Sequence, residues 1–361
     1  MASIPKKSAG ISAQRALHLG FIPLTDAAPL IVAHELGHFR RFGLQVELSR
    51  EVGWATVRDK IVYRELDGSH APAAVALSAT LGLGSVPCEC LTAFVFNLNG
   101  NAITLSDELW QRGVRDAKTM GQEILQCRGR KTYVFGVIFA QSSQRILFQD
   151  WLVSGGVNPD RDVRFVVVPP PQMFRNLMAG TLDGYSVGDP WNSLAVRERA
   201  GWCPALSMDL ANAHPEKVFM VRKDFAEKRS AEHLAIVAAL TEAAKLCDES
   251  SFRPELVKLL ARREYLNLPE RVLAAGLVGP IDRGHGQFSS AENFFVYHRQ
   301  NANEPTPAKA EWLIDGLIRC GVFPSRAALP KDLVSRVFRT DLFHQANSSS
   351  NKPTNEIALH R

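Results

Sequence analysis

Long apolar runs are missing from this sequence. The longest weakly polar stretch, Ala71 to Pro87, follows His70 and contains Ser78, Thr80 and Ser85. A bilayer span needs about 20 mainly apolar residues, so this stretch reads as a buried helix and turn, and no membrane partner is expected. Lys6 and Lys7 near the start are not followed by the apolar segment that a secretory leader requires, so the expected location is the cytoplasm. A dominant charge is lacking as well. The 42 basic and 37 acidic residues leave a net charge of +5, too small and too mixed for direct nucleic-acid binding but suited to an anionic ligand. The six cysteines (Cys88, Cys90, Cys127, Cys203, Cys247 and Cys320) are scattered over 361 residues, which excludes the disulfide framework of a small secreted domain. Cys88 and Cys90 have no second pair at metal-site spacing and read as buried free thiols.

What is present is a repeated order of elements. The length suits two domains or lobes. Residues 16–22 read as a strand, 27–40 as a helix ended by Phe42-Gly43, and Leu44–Leu48 as a second strand. A helix from Trp54 to Arg64 then leads to the turn Leu66-Asp67-Gly68. The order returns with a strand at Tyr133–Phe139, a helix at 143–154 ended by Gly155-Gly156, a strand at Val163–Val168 and a helix at 172–180. It closes on Leu182-Asp183-Gly184. Gly20 precedes Leu66 by 46 positions, and Gly136 precedes Leu182 by the same interval. Two similar βαβ lobes explain this. The expected class is α/β, with mostly parallel sheets and a ligand cleft between the lobes, beyond the carboxyl ends of the strands.

After residue 200 the pattern gives one strand, Val218–Arg222, and then helices near 231–247, 254–263, 269–276 and 307–321. The expected division is a discontinuous first lobe of residues 14–104 plus 212–340, and a second lobe of residues 105–211. The polar segment 344–361 is expected to be disordered.

His34-Glu35-Leu36-Gly37-His38 matches His-Glu-x-x-His, which on a helix sets two imidazoles on one face for zinc, with the glutamate as general base. No third ligand is convincingly placed downstream. The plainer reading puts the motif on the solvated side of a helix whose buried stripe is Ile31, Leu36 and Phe39. No metal is expected.

Other segments carry a family likeness. The run Gly20-Phe21-Ile22-Pro23-Leu24-Thr25-Asp26-Ala27-Ala28-Pro29-Leu30 resembles the opening of the nitrate- and bicarbonate-binding proteins of ABC importers. So do Trp54–Lys60, Leu66–His70, Leu98–Ile103, Gly188–Asn192 and His214–Lys217, in order, over about residues 15 to 325. The resemblance implies a two-lobed periplasmic-binding-protein-like fold of type II, no cofactor and no catalysis. It is strongest to the soluble cytoplasmic branch, the NasS-type nitrate/nitrite sensors. That branch implies a partner: an RNA-binding antiterminator of the ANTAR type, released when nitrate or nitrite binds. The alternative is the substrate-binding subunit of a nitrate or bicarbonate importer, with an ABC permease as partner. Pyrimidine-precursor synthases of thiamine biosynthesis share the fold, but use a lysine-bound pyridoxal phosphate, which is not expected here.

The resemblance also nominates residues. It gives Lys217 the role of anion-pairing lysine, where the residues alone allow a surface loop lysine. Helices starting near Trp54 and near Ser142-Ser143 would turn free N–H groups and dipoles toward an anion, which makes Ser143 a candidate. The Trp54 ring suits a planar ion. Asn101 matches a position where the importers commonly use glutamine. Gln144 stands where a ligand-facing histidine is found in their Gly-Gly-Thr-His-like run, so it donates a neutral hydrogen bond and cannot become cationic. The choice among nitrate, nitrite and bicarbonate therefore stays open. His70, Asp189 and Trp191 are further candidates for the cleft wall.

Overall fold

The computed structural model describes residues 15–348. Residue 14 and most of the expected C-terminal tail lie outside them. Thirteen strands are found among the described residues. They are β1 (Leu17–Phe21), β2 (Val46–Arg50), β3 (Gly68–Pro72), β4 (Cys90–Asn99), β5 (Asn101–Ser106), β6 (Tyr133–Val137) and β7 (Val163–Val167). β8 (Gly184–Gly188), β9 (Gly201–Leu206), β10 (Pro215–Arg222), β11 (Ile281–Gly284), β12 (Gln287–Ser289) and β13 (Phe295–Val296) complete the set. One sheet has the order β13-β4-β10-β3-β1-β2 and the other β7-β6-β8-β5-β9, with β11-β12 as a separate hairpin. Each large sheet anchors one lobe.

The repeat read from the sequence has a physical basis. A shift of 116 positions carries β1 onto β6 (Leu17 to Tyr133) and β3 onto β8 (Gly68 to Gly184). A Cβ on Gly20 would lie 2.6 Å from Leu66 Cδ1, and one on Gly136 would lie 2.9 Å from Leu182 Cδ1. Each glycine lets the leucine of its Leu-Asp-Gly turn press on the strand. The aspartates act alike. Asp67 Oδ2 accepts from the His18 N–H at 2.9 Å, and Asp183 Oδ2 from the Val134 N–H at 2.7 Å. Arg15 pairs with Asp67 at 2.5 Å and Lys131 with Asp183 at 2.6 Å.

The sheets are mixed rather than mostly parallel. The pairs β1–β2, β1–β3, β6–β7 and β6–β8 are parallel, as βαβ connections require. The strands that carry the chain between lobes run antiparallel to their neighbours: β4 and β10 in the first sheet, β5 and β9 in the second. The first crossing falls at Asn99-Gly100, ahead of the expected break after residue 104, because β5 already pairs with β8 and β9. Asn99 and Gly100 both have positive φ (60° and 91°), and a Cβ on Gly100 would lie 2.3 Å from the Phe295 ring.

Other expectations change too. β10 begins at Pro215, so Lys217 lies in a strand and not in a loop. β4 and β9 were not read because every residue of β4 is buried and β9 is nearly so, leaving no alternation of exposure. The helix expected over 27–40 breaks at Gly37 (φ 74°) into Ala28–Glu35 and His38–Arg41. His34 and His38 are therefore not on consecutive turns of one helix. His38 Nδ1 lies 3.2 Å from Glu242, and Glu35 accepts from Arg262 at 2.8 Å and from the Tyr265 hydroxyl. Ile31 and Phe39 are buried, but Leu36 is 42% exposed. The expected tail begins inside a helix, Thr340–Ala346. Cys90 is buried and Cys88 half-buried, with sulfurs 3.9 Å apart. Among the described residues no helix is long and apolar enough to cross a membrane.

In the second lobe, helix Ala117–Gln126 packs tightly on the end of helix Ser143–Ser154. A Cβ on Gly155 would lie 2.0 Å from the Ala117 carbonyl oxygen, whereas one on Gly279 would meet nothing within 4 Å. Backbone cannot yield as a side chain can. Gly155→Ala should cost about 3 kcal/mol of stability, and Gly279→Ala should stay within about 0.5 kcal/mol. Urea denaturation of both variants checks this, and equal midpoints would refute it.

Candidate anion-binding site

The two chain crossings deliver one strand start each to the same point. Asn101 opens β5 just after the first crossing, and Glu216-Lys217 open β10 just after the second. Gly188, at the end of β8, pairs with Asn101. A Cβ at Gly188 would crowd Asp26 Oδ2 at 3.3 Å and Asn101 Oδ1 at 3.4 Å. Helix Ser143–Ser154 also starts here. Its cap, Ser142, accepts from the Arg145 N–H at 3.2 Å, which leaves Ser143 and Gln144 in the first turn facing the strand ends. That turn is the positive end of the helix dipole.

Four donor side chains meet one carboxylate. Glu216 Oε2 accepts from Asn101 Nδ2 at 2.6 Å and from the Ser143 hydroxyl. Glu216 Oε1 accepts from Gln144 Nε2 at 2.5 Å and from the Lys217 ammonium. Gln144 Nε2 also donates to Asn101 Oδ1 at 2.8 Å. On its other side Lys217 Nζ lies 2.9 Å from Asp26 Oδ2. His70 Nε2 bonds the second oxygen of Asp26 at 2.7 Å. Asp26, Asn101, Gln144, Glu216 and Lys217 are all at most 1% exposed, and Ser143 is 2% exposed.

Trp54 closes the cluster. Its ring centroid is 5.6 Å from Lys217 Nζ and 5.4 Å from the His70 ring, and its Nε1 is a buried donor with no protein partner. The five nominated residues Trp54, Asn101, Ser143, Gln144 and Lys217 are thus brought together. Of the further candidates, His70 reaches the cluster through Asp26. Trp191 does not: its Nε1 donates to the Pro23 carbonyl at 3.2 Å, a packing contact. Asp189 lies apart from the donors, with Oδ1 accepting from Ser193 Oγ at 2.8 Å and Oδ2 unpaired near Gly276. Asp26 and Glu216 were missed. Both stand inside segments that carried the family likeness, but carboxylates are the last groups to expect where an anion is sought.

Electrostatics follow from burial and pairing. Burial works against the charge on Lys217, but Asp26 and Glu216 outweigh it and hold the ammonium above its usual range. Burial also opposes ionisation of Asp26, and Lys217 and His70 reverse that, keeping its carboxyl low. For His70 and His214 burial wins over their carboxylate neighbours, lowering both and leaving them neutral. Burial pushes Asp189 up to about 6, with Ser193 opposing only in part. Among the described residues no group of three or more His, Cys, Asp and Glu side chains is arranged to hold a metal ion.

Two similar α/β lobes, a double crossing between them and a buried polar cluster at that crossing define a two-lobed solute-binding protein of the type II periplasmic class. Residues 11–261 match the NMT1-like family. Over 338 residues the chain is 32% identical to the nitrate/nitrite binding protein NrtA of Nostoc sp., covering 91% of this chain and 76% of that one. It is 38% identical over 335 residues to the nitrate import ATP-binding protein NrtC of Synechocystis sp., covering 91% of this chain but 49% of that one. It thus spans about half the length of such curated relatives. The crystal structure of the periplasmic nitrate-binding protein NrtA from Synechocystis superposes with a TM-score of 0.87 at 28% identity, covering 94% and 91% of the two chains. The chain belongs to the NMT1-like family and is similar to NrtA and CmpA.

Two outcomes follow. Removing Lys217 would strand two buried carboxylates, so Lys217→Met should cost about 3–5 kcal/mol in urea denaturation; a loss below about 1 kcal/mol would show the triad to be weakly coupled. Asp189 sits at about 6 in the fold against 3.8 in the open chain. Between those values the native state holds the extra proton, so its contribution to stability falls as pH rises from about 4 to about 6 and then levels. The stability of wild type minus Asp189→Asn should drop by about 3 kcal/mol across that window, and a flat difference would contradict it.

Proposed function

We propose that this chain binds nitrate or nitrite at the Lys217 cluster and acts as a cytoplasmic sensor rather than an enzyme. The convergence of four donors and a helix N-terminus on one buried carboxylate carries the oxyanion reading. Donors that satisfy a buried carboxylate also satisfy a small planar oxyanion, because both present paired oxygens with one negative charge. The relatives support the same ligand class: NrtA of Nostoc is named for nitrate and nitrite, and CmpA of Synechococcus elongatus for bicarbonate. Neither name describes a catalyst.

The sensor reading draws on the 38% identity to an import ATP-binding protein. In the proposed scheme, anion binding shifts the lobes and releases an RNA-binding antiterminator of the ANTAR type, the partner implied by the resemblance of segments such as Gly20–Leu30 to the NasS-type sensors. The ligand acts only through its different affinity for the two lobe arrangements. The second reading, a substrate-binding subunit delivering nitrate or bicarbonate to a permease, is favoured by the full-length superposition on NrtA. Co-purification with an ANTAR-type protein that nitrate dissociates supports the sensor. Capture by an ABC permease in its place supports the importer subunit.

Gln144→Ala tests the site: alanine keeps the helix and leaves Lys217 in place, while removing the buried bonds to Glu216 and Asn101. Losing one hydrogen bond to a charged group costs about 1.5–3 kcal/mol. Calorimetry should show one-to-one binding of nitrate or nitrite, weakened roughly 10- to 100-fold in Gln144→Ala. Unchanged affinity would move the site elsewhere.

A further inference from the structure

We infer that the ligand of this site is an oxyanion accompanied by one proton, and that Glu216 is the residue that imposes the proton. The inference rests on the oxyanion reading above and adds to it the form in which the anion is taken.

Glu216 already uses the donors that an anion needs. Asn101 and Ser143 hold one of its oxygens, Gln144 and Lys217 the other. An incoming oxyanion competes with this carboxylate for the same hydrogens, and both are then held within a cluster closed to solvent. The groups that face Glu216 from each packed element can be counted. From β10 comes Lys217, and from the residue just before that strand comes His214, with Nδ1 3.9 Å away. From the turn after β1 comes Asp26, on the far side of Lys217, and from β3 comes His70, bonded to Asp26. From β5 comes Asn101, and from the helix come Ser143 and Gln144, all uncharged.

The balance is one ammonium against two carboxylates. His70 and His214 do not alter it, because burial keeps both imidazoles neutral. The cluster therefore carries one surplus negative charge before any ligand arrives, offset in part by the helix dipole. A nitrate or nitrite ion would raise the surplus to two, in a place where a single unpaired buried charge is already very unfavourable. Neither ion has a hydrogen to donate to Glu216 in return. One proton taken up with the anion restores the original charge and supplies the missing donor between the two sets of oxygens. Among the described residues Lys217 is the only cation of the cluster, so the charge balance falls to that proton; the free Trp54 Nε1–H adds a donor but no charge.

Proton uptake makes binding weaken as pH rises. Lightly buffered protein and sodium nitrate, both set to pH 7, are mixed, and proton uptake is followed with a pH electrode. Dissociation constants are then measured calorimetrically between about pH 6 and pH 8 in cationic buffers, and the series is repeated with nitrite. The wild type should take up one proton per anion bound, and its Kd should rise about tenfold per pH unit. Glu216→Gln should bind with no proton uptake, with little pH dependence, and more tightly than the wild type at pH 8. Nitrate binding by the wild type that is proton-free and independent of pH would overturn the inference and leave the oxyanion reading standing. Should neither protein bind nitrate or nitrite, the oxyanion reading itself falls, and the inference with it. The wild-type proton count decides the matter even if the variant does not fold.

Discussion

The Lys217 ammonium is fully enclosed, with Asp26 on one side and Glu216 on the other. An isolated buried charge of either sign would destabilise the fold severely, so these three groups must be arranged together or not at all. Asp26 is held by His70, which in turn packs at a tilt against Trp54 and edge-to-face against Phe96. Glu216, on a strand of the first sheet, is bonded by three side chains of the second lobe. The counter-charges of the lysine thus come from its own lobe, while the second lobe completes the hydrogen bonds of Glu216. The contact between lobes is made on the charge cluster itself.

This coupling gives a physical route from ligand to shape. The donors of the second lobe can satisfy Glu216 or an oxyanion, and the two acceptors are not equivalent to the rest of the protein. One is tethered to β10 and the other is free to leave. A change of acceptor alters what holds the lobes together, and a ligand shifts a conformational equilibrium only to the extent of such differences. In the proposed scheme the chemical event at the cleft is the same whether a regulatory protein or a permease is the partner.

Much of this was legible in the residues. The twofold spacing of Gly20 and Gly136 from their Leu-Asp-Gly turns marked the two lobes, because only glycine admits the leucine against the strand. The helix start near Ser142-Ser143 was legible, and Ser142 caps it. What stayed hidden depended on contacts across the chain. β4 is buried along its whole length, so no exposure pattern marks it. His34 to His38 imitated a zinc helix, and only the left-handed Gly37 separates them. Glu216 drew no attention beside Lys217, although a buried cation needs its counter-charges as much as an anion needs its donors. Asking what neutralises a buried lysine would have found both Glu216 and Asp26.

The account stands or falls on the position of a bound anion. Crystals grown in the presence of nitrate or nitrite and analysed by diffraction address it directly. The account predicts one anion within hydrogen-bonding distance of Asn101, Ser143, Gln144 and Lys217, with the Glu216 carboxylate withdrawn from at least some of those donors. An anion bound elsewhere, with the Glu216 contacts unchanged from those described, would contradict it.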